Sequence, residues 1–141
     1  LNMISNGLSM FVYGHGDHNF ITSSILAGCT SIAAGVAYAL AEEESHNYVW
    51  CFLGDGAEEQ GHFYESVLFA TAHNLPIYFI IEDNDQSVEV SKAKRTNNYR
   101  LSWPEHIVKR YQYVPSYPHA GSGCSFNIQF RDPLSRAPKF K

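Results

Sequence analysis

The sequence has neither long apolar runs nor blocks of one charge. No uninterrupted apolar run reaches about 18 residues, the length that spans a bilayer, and the start of the chain has no basic and apolar export signal. Its 10 Lys and Arg residues are scattered among 14 Asp and Glu residues, so no basic block can follow a phosphate backbone. We therefore expect neither a membrane nor a nucleic acid as a partner.

Cysteine is also scarce. The 3 cysteines, Cys29, Cys51 and Cys124, lie far apart and form neither a CxxC redox motif nor the paired spacing of a zinc site. A reducing, cytoplasmic setting is the expectation. The chain has 141 residues, of which 45% are hydrophobic, and this is enough for one domain with one core. The first residue is Leu1 and the stretch 131–141 has no hydrophobic period, so we expect a fragment of a longer protein.

Two short apolar runs with a helical pattern between them predict a βαβ unit. The runs are Tyr48–Leu53, which ends at Gly-Asp-Gly, and Ile77–Ile81, which ends at Glu-Asp-Asn-Asp. The segment Ala57–Asn74 places apolar residues at helical intervals and ends at Leu-Pro. This order and these lengths predict parallel strands joined by a right-handed crossover, and hence an α/β fold with a doubly wound parallel sheet.

The remaining segments give weaker predictions. The small, apolar stretch Ile25–Ala41 predicts a buried helix. The polar stretch Gln86–Arg100 predicts a loop. A capping pattern at Ser102 predicts a short helix as far as about Tyr111, followed by a possible strand over Tyr111–Val114.

Polar side chains end both predicted strands. Asp55 follows the first strand and Asn84 follows the second, and neighbouring parallel strands end at the same edge of a sheet. Carboxylate and amide oxygens suit Mg²⁺ and leave coordination positions for a diphosphate. Gly54 and Gly56 let backbone approach closely, and a helix that begins near Ala57 would favour an anion through its N-terminal N–H groups. Each motif alone is more often an ordinary turn, so only their joint spacing favours a site.

The segment Gly54–Asn84 reads GDGAEEQGHFYESVLFATAHNLPIYFIIEDN. It closely resembles the thiamine-diphosphate motif of the alpha subunits of 2-oxo acid dehydrogenases, the pyruvate and branched-chain type. Gln60-Gly61, Glu65, Leu75-Pro76 and Glu82-Asp83-Asn84 match that pattern. The resemblance covers about residues 7–114 and implies a three-layer, doubly wound thiamine-diphosphate-binding fold, here a single domain over 1–141 without the family's N- and C-terminal portions.

The resemblance also implies a set of cofactor-binding residues. Asp55, Asn84 and the main-chain carbonyl of Gln86 are expected to bind Mg²⁺, while Gly54, Gly56 and Ala57 lie at the diphosphate. Backbone groups of Ser24 and Leu26 are expected to face the aminopyrimidine ring. The family often has glycine at Ser23, Ser24 and Ala27, and this chain departs from it there.

The sequence identifies no firm catalytic residue. Phe11 stands where the family has a histidine, and His15 or His18 are candidates to replace it, with an ordinary surface histidine as the alternative for each. Glu58 and Glu59 are expected to be surface acids rather than general acids. In the family, the glutamate that activates the cofactor belongs to a beta-type subunit.

The resemblance implies that thiamine diphosphate, bound with Mg²⁺, supplies the electron sink for oxidative decarboxylation of a small 2-oxo acid. Activity would then require the beta-type subunit in a heterotetramer, and a lipoyl-bearing acyltransferase would accept the acyl group. Two alternatives stay open. One is the diphosphate-binding half of a transketolase-like or decarboxylase-like enzyme; the other is a non-catalytic truncated remnant or regulatory subunit.

Overall fold

A computed structural model of the chain describes residues 13–14, 20–88 and 90–114. The elements in chain order are the strands β1 (Tyr13–Gly14) and β2 (Phe20–Ile21), the helix α1 (Thr30–Glu42), β3 (Val49–Gly54), the helix α2 (Gly61–Ala72), β4 (Ile77–Asp83), β5 (Gln86–Ser87), β6 (Val90–Ser91), the helix α3 (Lys92–Thr96) and β7 (Val108–Gln112). None of the helices in these ranges is long and apolar enough to cross a bilayer.

The central feature is a parallel sheet of β3, β4 and β7, with β4 in the middle. Strand β3 pairs with β4 in register from Val49 opposite Ile77 to Gly54 opposite Glu82. The two strands are joined through α2, so the predicted βαβ unit and the α/β class are confirmed. Both apolar runs form strands because continuous β-branched and aromatic residues suit a buried parallel sheet.

One face of the sheet forms the hydrophobic core. Alternate residues of each strand point to the same face, and on β4 this face carries the fully buried Ile77, Phe79 and Ile81. Helix α2 packs Phe63 onto this face, with its ring edge-to-face against Phe79 at 5.5 Å between ring centroids. The core cluster consists of Ala27, Ala37, Cys51, Leu53, Ala57, Phe63, Val67, Ala70, Leu75, Ile77, Phe79, Ile81, Ile107 and Val108.

The opposite face of β3 stays largely uncovered by the described residues. Trp50 is 59% exposed and Phe52 is 60% exposed, although both are large apolar side chains. The described residues therefore form two layers, a sheet and the helices on one of its faces. The third layer of the predicted doubly wound fold remains a prediction.

Helix α1 begins later than the sequence predicts. The prediction placed its start at Ile25, but the helix begins at Thr30, and the residues before it form turns. Ala27 has a φ of 55°, in the left-handed region, which a helix cannot continue through. The prediction of an entirely buried helix is also wrong: Thr30, Ala34 and Ala37 are buried on one side, while Ile32 is about half exposed.

Helix α2 likewise begins at Gly61 rather than at Ala57. The N–H of Ala57 donates to the carbonyl of Gly54 at 3.0 Å in a turn, and Gln60 is extended with ψ 137°. The prediction that the helix begins near Ala57 is therefore wrong, while an anion at its N-terminus remains a prediction. Residues 54–60, here called the strand-end turn, connect β3 to α2.

Two later predictions are also wrong. The segment Gln86–Arg100, which was predicted as a loop, contains the hairpin β5–β6 and the short helix α3. Lys92 of α3 is buried, so the segment packs against the edge of the sheet. The helix predicted from Ser102 is only a turn. Strand β7, paired in parallel with β4, occupies Val108–Gln112 and so begins before the predicted Tyr111. Here tertiary pairing prevails over a local capping signal.

Candidate functional site

The candidate site lies at the carboxyl ends of β3 and β4, where the strand-end turn 54–60 leaves the sheet. Strand alternation brings Asp55 onto the buried face, following Cys51 and Leu53, and its residue is 1% exposed. On β4 the same alternation ends at Asp83, which is fully buried. Since the register places Gly54 opposite Glu82, the two buried carboxylates end adjacent strands.

Two cations of α3 approach the carboxylate of Asp55. Nη2 of Arg95 donates to Oδ2 of Asp55 at 2.5 Å, and Nζ of Lys92 lies 4.0 Å from the same oxygen. A carboxylate at this depth requires positive charge nearby, since burying it alone would be very costly. Asp55 thus occupies a position that demands a cation.

Arg95 connects α3 to the strand-end turn. Its Nε donates to both carboxylate oxygens of Glu59 at 3.0 and 3.1 Å, and its Nη1 donates to the carbonyl of Val90. Burial by itself lowers the pKa of the Arg95 guanidinium, but the bonds to Asp55 and Glu59 outweigh burial and raise that pKa. The guanidinium is therefore a permanent positive charge at this edge of the sheet.

Asp83 is a buried charge that the sequence analysis missed. Nζ of Lys92 donates to both of its carboxylate oxygens at 2.6 Å, and Nη1 of Arg110 donates to Oδ2 at 2.7 Å. Burial alone raises the pKa of Asp83, but the bonds from Lys92, the Asp85 amide and Arg110 outweigh it and lower that pKa. The inward alternation Ile77, Phe79, Ile81, Asp83 was the sequence signal for this burial.

Glu58 is buried, contrary to its interpretation as a surface acid. Its Oε1 accepts hydrogen bonds from the Trp103 indole at 2.8 Å and from Nη2 of Arg110. Arg110 therefore bridges Glu58 and Asp83. Burial lowers the pKa of Arg110, but these two acids outweigh it and raise that pKa. Glu59 is exposed, as expected.

The other two predicted metal ligands follow directly after β4. Asn84 is half-buried, and its Oδ1 accepts the N–H of Gln86 at 3.1 Å. An amide oxygen has two lone pairs, so this bond leaves one for another partner. Gln86 lies in β5 opposite Ser91. Among the described residues no group of three or more His, Cys, Asp or Glu side chains is arranged to hold a metal ion, but the predicted set is of another kind, with one carboxylate, one amide and one carbonyl.

Gly56 is the one glycine of the turn where a side chain could not fit. A Cβ there would lie 2.2 Å from Oγ of Ser87, so the β5–β6 hairpin packs directly against the turn backbone. At Gly54 a Cβ would meet nothing within 4 Å. The close neighbour of Gly56 in the structure is Ser87, and the expected approach of this backbone to a diphosphate remains a prediction.

An open cleft runs along β3 beside the turn. Its volume is about 960 Å³, and its lining includes Ser24, Leu26, Gly54 and Ala57, four of the predicted cofactor-binding residues. The carbonyl of Leu26 is 2.9 Å from Nε2 of His62, which ties the segment before α1 to the first turn of α2. The structure thus gathers these four residues around one cavity, with Asp55 in the turn between Gly54 and Ala57. The candidate histidines His15 and His18 lie outside the described residues.

The oxygen donors at this edge are of the kind that magnesium accepts. The Asp55 carboxylate is buried and needs a cation, Asn84 offers a further oxygen, and both are hard oxygen donors. Side chains of α3, Lys92 and Arg95, lie at the Asp55 carboxylate and supply positive charge there.

Comparison with known proteins shows which family the chain belongs to. Residues 4–102 match the family described as "Dehydrogenase E1 component". The chain is 35% identical over 79 residues to the pyruvate dehydrogenase E1 component subunit alpha of Staphylococcus aureus strain Mu50, a match that covers 55% of this chain and 21% of the relative. For the protein of the same name from Rickettsia conorii, the identity is 36% over 86 residues, covering 61% of this chain and 24% of the relative. The chain thus matches about a quarter of the length of these relatives or less, and it belongs to the family of dehydrogenase E1 components.

Proposed function

We propose that the chain is an alpha-subunit-like component of a 2-oxo acid dehydrogenase that binds the Mg²⁺-diphosphate end of thiamine diphosphate. The observation that carries the proposal is the buried Asp55 carboxylate at the end of β3, which demands a cation, in a chain of the E1 family. A thiamine-diphosphate-binding fold over a single domain is part of the proposal. It is supported by the parallel sheet, whose strand ends are the usual ligand site of such folds.

Most of the predicted cofactor-binding residues have a place in this proposal. Asp55, Asn84 and the carbonyl of Gln86 would bind the metal, and backbone groups of Gly56 and Ala57 would meet the diphosphate. Ser24 and Leu26, which line the cleft, would contact the aminopyrimidine ring. When bound, the cofactor supplies the electron sink for oxidative decarboxylation of a 2-oxo acid.

The chain's own residues would bind and orient. Asp55 directly follows β3 and is buried, so its carboxylate would be held at a fixed depth. The exposed apolar side chains of Trp50 and Phe52 border the same cleft and offer apolar surface to a ring. His62, through the Leu26 carbonyl, would keep the ring-facing segment in place.

The proposal includes partners. A beta-type subunit would supply the activating glutamate, and a lipoyl-bearing acyltransferase would accept the acyl group, in an oligomer located in the cytoplasm. The two relatives described above carry the name pyruvate dehydrogenase, so pyruvate is the first 2-oxo acid to assay. Coexpression with a candidate beta-type subunit, followed by assays of decarboxylation of several 2-oxo acids, tests this part.

Of the alternatives, the family match favours a dehydrogenase over the transketolase-like or decarboxylase-like half. A non-catalytic remnant or regulatory subunit is the second candidate. One observation favours it, because Arg95 and Lys92 lie at the Asp55 carboxylate and neutralise its charge. A chain that binds cofactor would have to exchange those cations for Mg²⁺, whereas a structural remnant would keep them.

Calorimetry of thiamine diphosphate, with and without Mg²⁺, tests the cofactor proposal. We expect binding to require Mg²⁺ and to be lost in Asp55→Asn, which keeps the size of the side chain but removes the charge that a divalent cation needs. Glu65→Gln, which alters an exposed acid of α2, is the matched control and should bind as the unaltered chain does. Binding that persists in Asp55→Asn would remove Asp55 from the site.

A further inference from the structure

The feature that the proposed function does not explain is the cation already present at Asp55. Nη2 of Arg95 donates directly to Oδ2 of Asp55, at 2.5 Å. A magnesium ion bound to Asp55 would lie about 2.0–2.1 Å from a carboxylate oxygen. Guanidinium and metal would then be two cations in contact with one carboxylate, where they repel each other.

The protein also holds Arg95 in this position from its other side. Glu59, in the strand-end turn, accepts both of its bonds from Nε of Arg95, and the carbonyl of Val90 accepts a third bond from Nη1. The Arg95 side chain is 13% exposed, so its charge is poorly screened by water. The guanidinium is thus a well-fixed counter-ion rather than a mobile surface group.

Lys92, the other cation near Asp55, is held more tightly by a different carboxylate. Its ammonium bonds both oxygens of the buried Asp83 at 2.6 Å and is 4.0 Å from Asp55, so it belongs first to Asp83. Removing Lys92 from Asp83 would leave a second buried carboxylate without its closest cation. Arg95 is therefore the cation that a metal would replace.

We propose that Arg95 is an internal counter-ion of Asp55 that competes with the divalent cation, so that metal binding is coupled to release of α3 from the strand-end turn. This inference rests on the proposed function, because it assumes that the metal binds Asp55. It adds a positioning residue that lowers metal affinity and keeps the site neutral when the metal is absent. By linkage, the metal weakens the bond between Arg95 and Asp55 as much as that bond weakens metal binding.

Titration with the metal alone, Mg²⁺ by calorimetry or Mn²⁺ by electron paramagnetic resonance, tests this coupling on the full chain. We expect Arg95→Gln to raise the metal affinity at least about fivefold, the lower end of typical coupling effects. Lys94→Gln removes the same charge from an exposed neighbour on α3 and is expected to leave the affinity nearly unchanged. Unchanged or weaker metal binding by folded Arg95→Gln would overturn the inference.

A measurement on the unaltered chain keeps the test independent of any folding defect in the variant. Arg95 fastens α3 to the strand-end turn, so Mg²⁺ alone should speed hydrogen exchange of the α3 amides. Unchanged or slower exchange there under saturating metal would count against release.

Asp55→Asn separates the two proposals. If it lowers metal affinity while Arg95→Gln does not raise it, Asp55 is the metal ligand and only the competition is wrong. If Asp55→Asn leaves metal affinity unchanged, the proposed metal site fails together with the inference.

Discussion

At the residue scale, the edge of the sheet is governed by buried carboxylates and the cations that neutralise them. Asp55 has Arg95, Asp83 has Lys92 and Arg110, and Glu58 has Arg110 and the Trp103 indole. Removing one member of such a pair leaves an unpaired buried charge, which typically costs about 3–5 kcal/mol. The paired acids therefore fix the geometry of this edge of the sheet.

Asp83 should make the stability of the chain depend on acidic pH. Its pKa is lowered in the folded chain, because the bonds from Lys92, the Asp85 amide and Arg110 outweigh burial. In the unfolded chain an aspartate titrates near about pH 3.9, so below that pH the unfolded state binds the proton more readily. Stability from Asp83 is thus fully present above about pH 5 and is lost as the pH falls through the lowered folded-state pKa.

Urea unfolding between about pH 3 and 7 measures this effect. Asp83→Asn is expected to lower the free energy of unfolding near neutral pH and to flatten its decline in acid. Asp85→Asn, which removes a nearby exposed carboxylate, controls for the loss of negative charge as such. An unchanged acid dependence in Asp83→Asn would mean that another group is responsible.

Sequence reasoning reached some of these residues and missed others. Asp55 and Asn84 were identified because they end apolar runs, a signal that one sequence carries. The partners of Asp55 and Asp83 were not, because Lys92, Arg95 and Arg110 lie far along the chain and meet the acids only in the folded structure. Such pairing depends on tertiary contacts that no local pattern encodes.

At the scale of elements, the strands were the most predictable feature and the helix starts the least. Strands β3 and β4 follow from continuous apolar runs, and their ends agree with the prediction to within two residues. Helices α1 and α2 begin at Thr30 and Gly61 because turns precede them, and the left-handed Ala27 has no signature in its neighbours. A local capping pattern predicted a helix where β7 begins. The strand depends on pairing with β4, which is distant in sequence, so no local signal indicated it.

Helix α2 holds the core to the sheet through Phe63. The ring is fully buried and lies edge-to-face against Phe79 and against Trp103, at 5.5 and 5.0 Å between centroids. Phe63→Ala is expected to lower the free energy of unfolding by about 3–5 kcal/mol, because it removes buried area and leaves a cavity. Denaturant unfolding measures the loss.

Leu68 provides the matched control on the same helix, since its side chain is 68% exposed. Leu68→Ala should change the free energy of unfolding by no more than about 0.5 kcal/mol. Equal losses in the two variants would mean that α2 does not pack on the sheet through Phe63.

At the scale of the whole molecule, the described residues form a sheet covered by helices on one face, with Trp50 and Phe52 largely exposed on the other. The chain matches 21% and 24% of the lengths of the Staphylococcus and Rickettsia alpha subunits. A motif could identify the family because its glycines, acids and strand ends are contiguous. The motif did not identify the substrate or the partner proteins.

The central claim is that Asp55 and Asn84 share one divalent cation with the diphosphate of thiamine diphosphate. The most direct test is a crystal structure of the chain with thiamine diphosphate and Mg²⁺. The claim predicts one ion within about 2.0–2.1 Å of a carboxylate oxygen of Asp55 and of the amide oxygen of Asn84. A bound cofactor whose metal touches neither residue would contradict it.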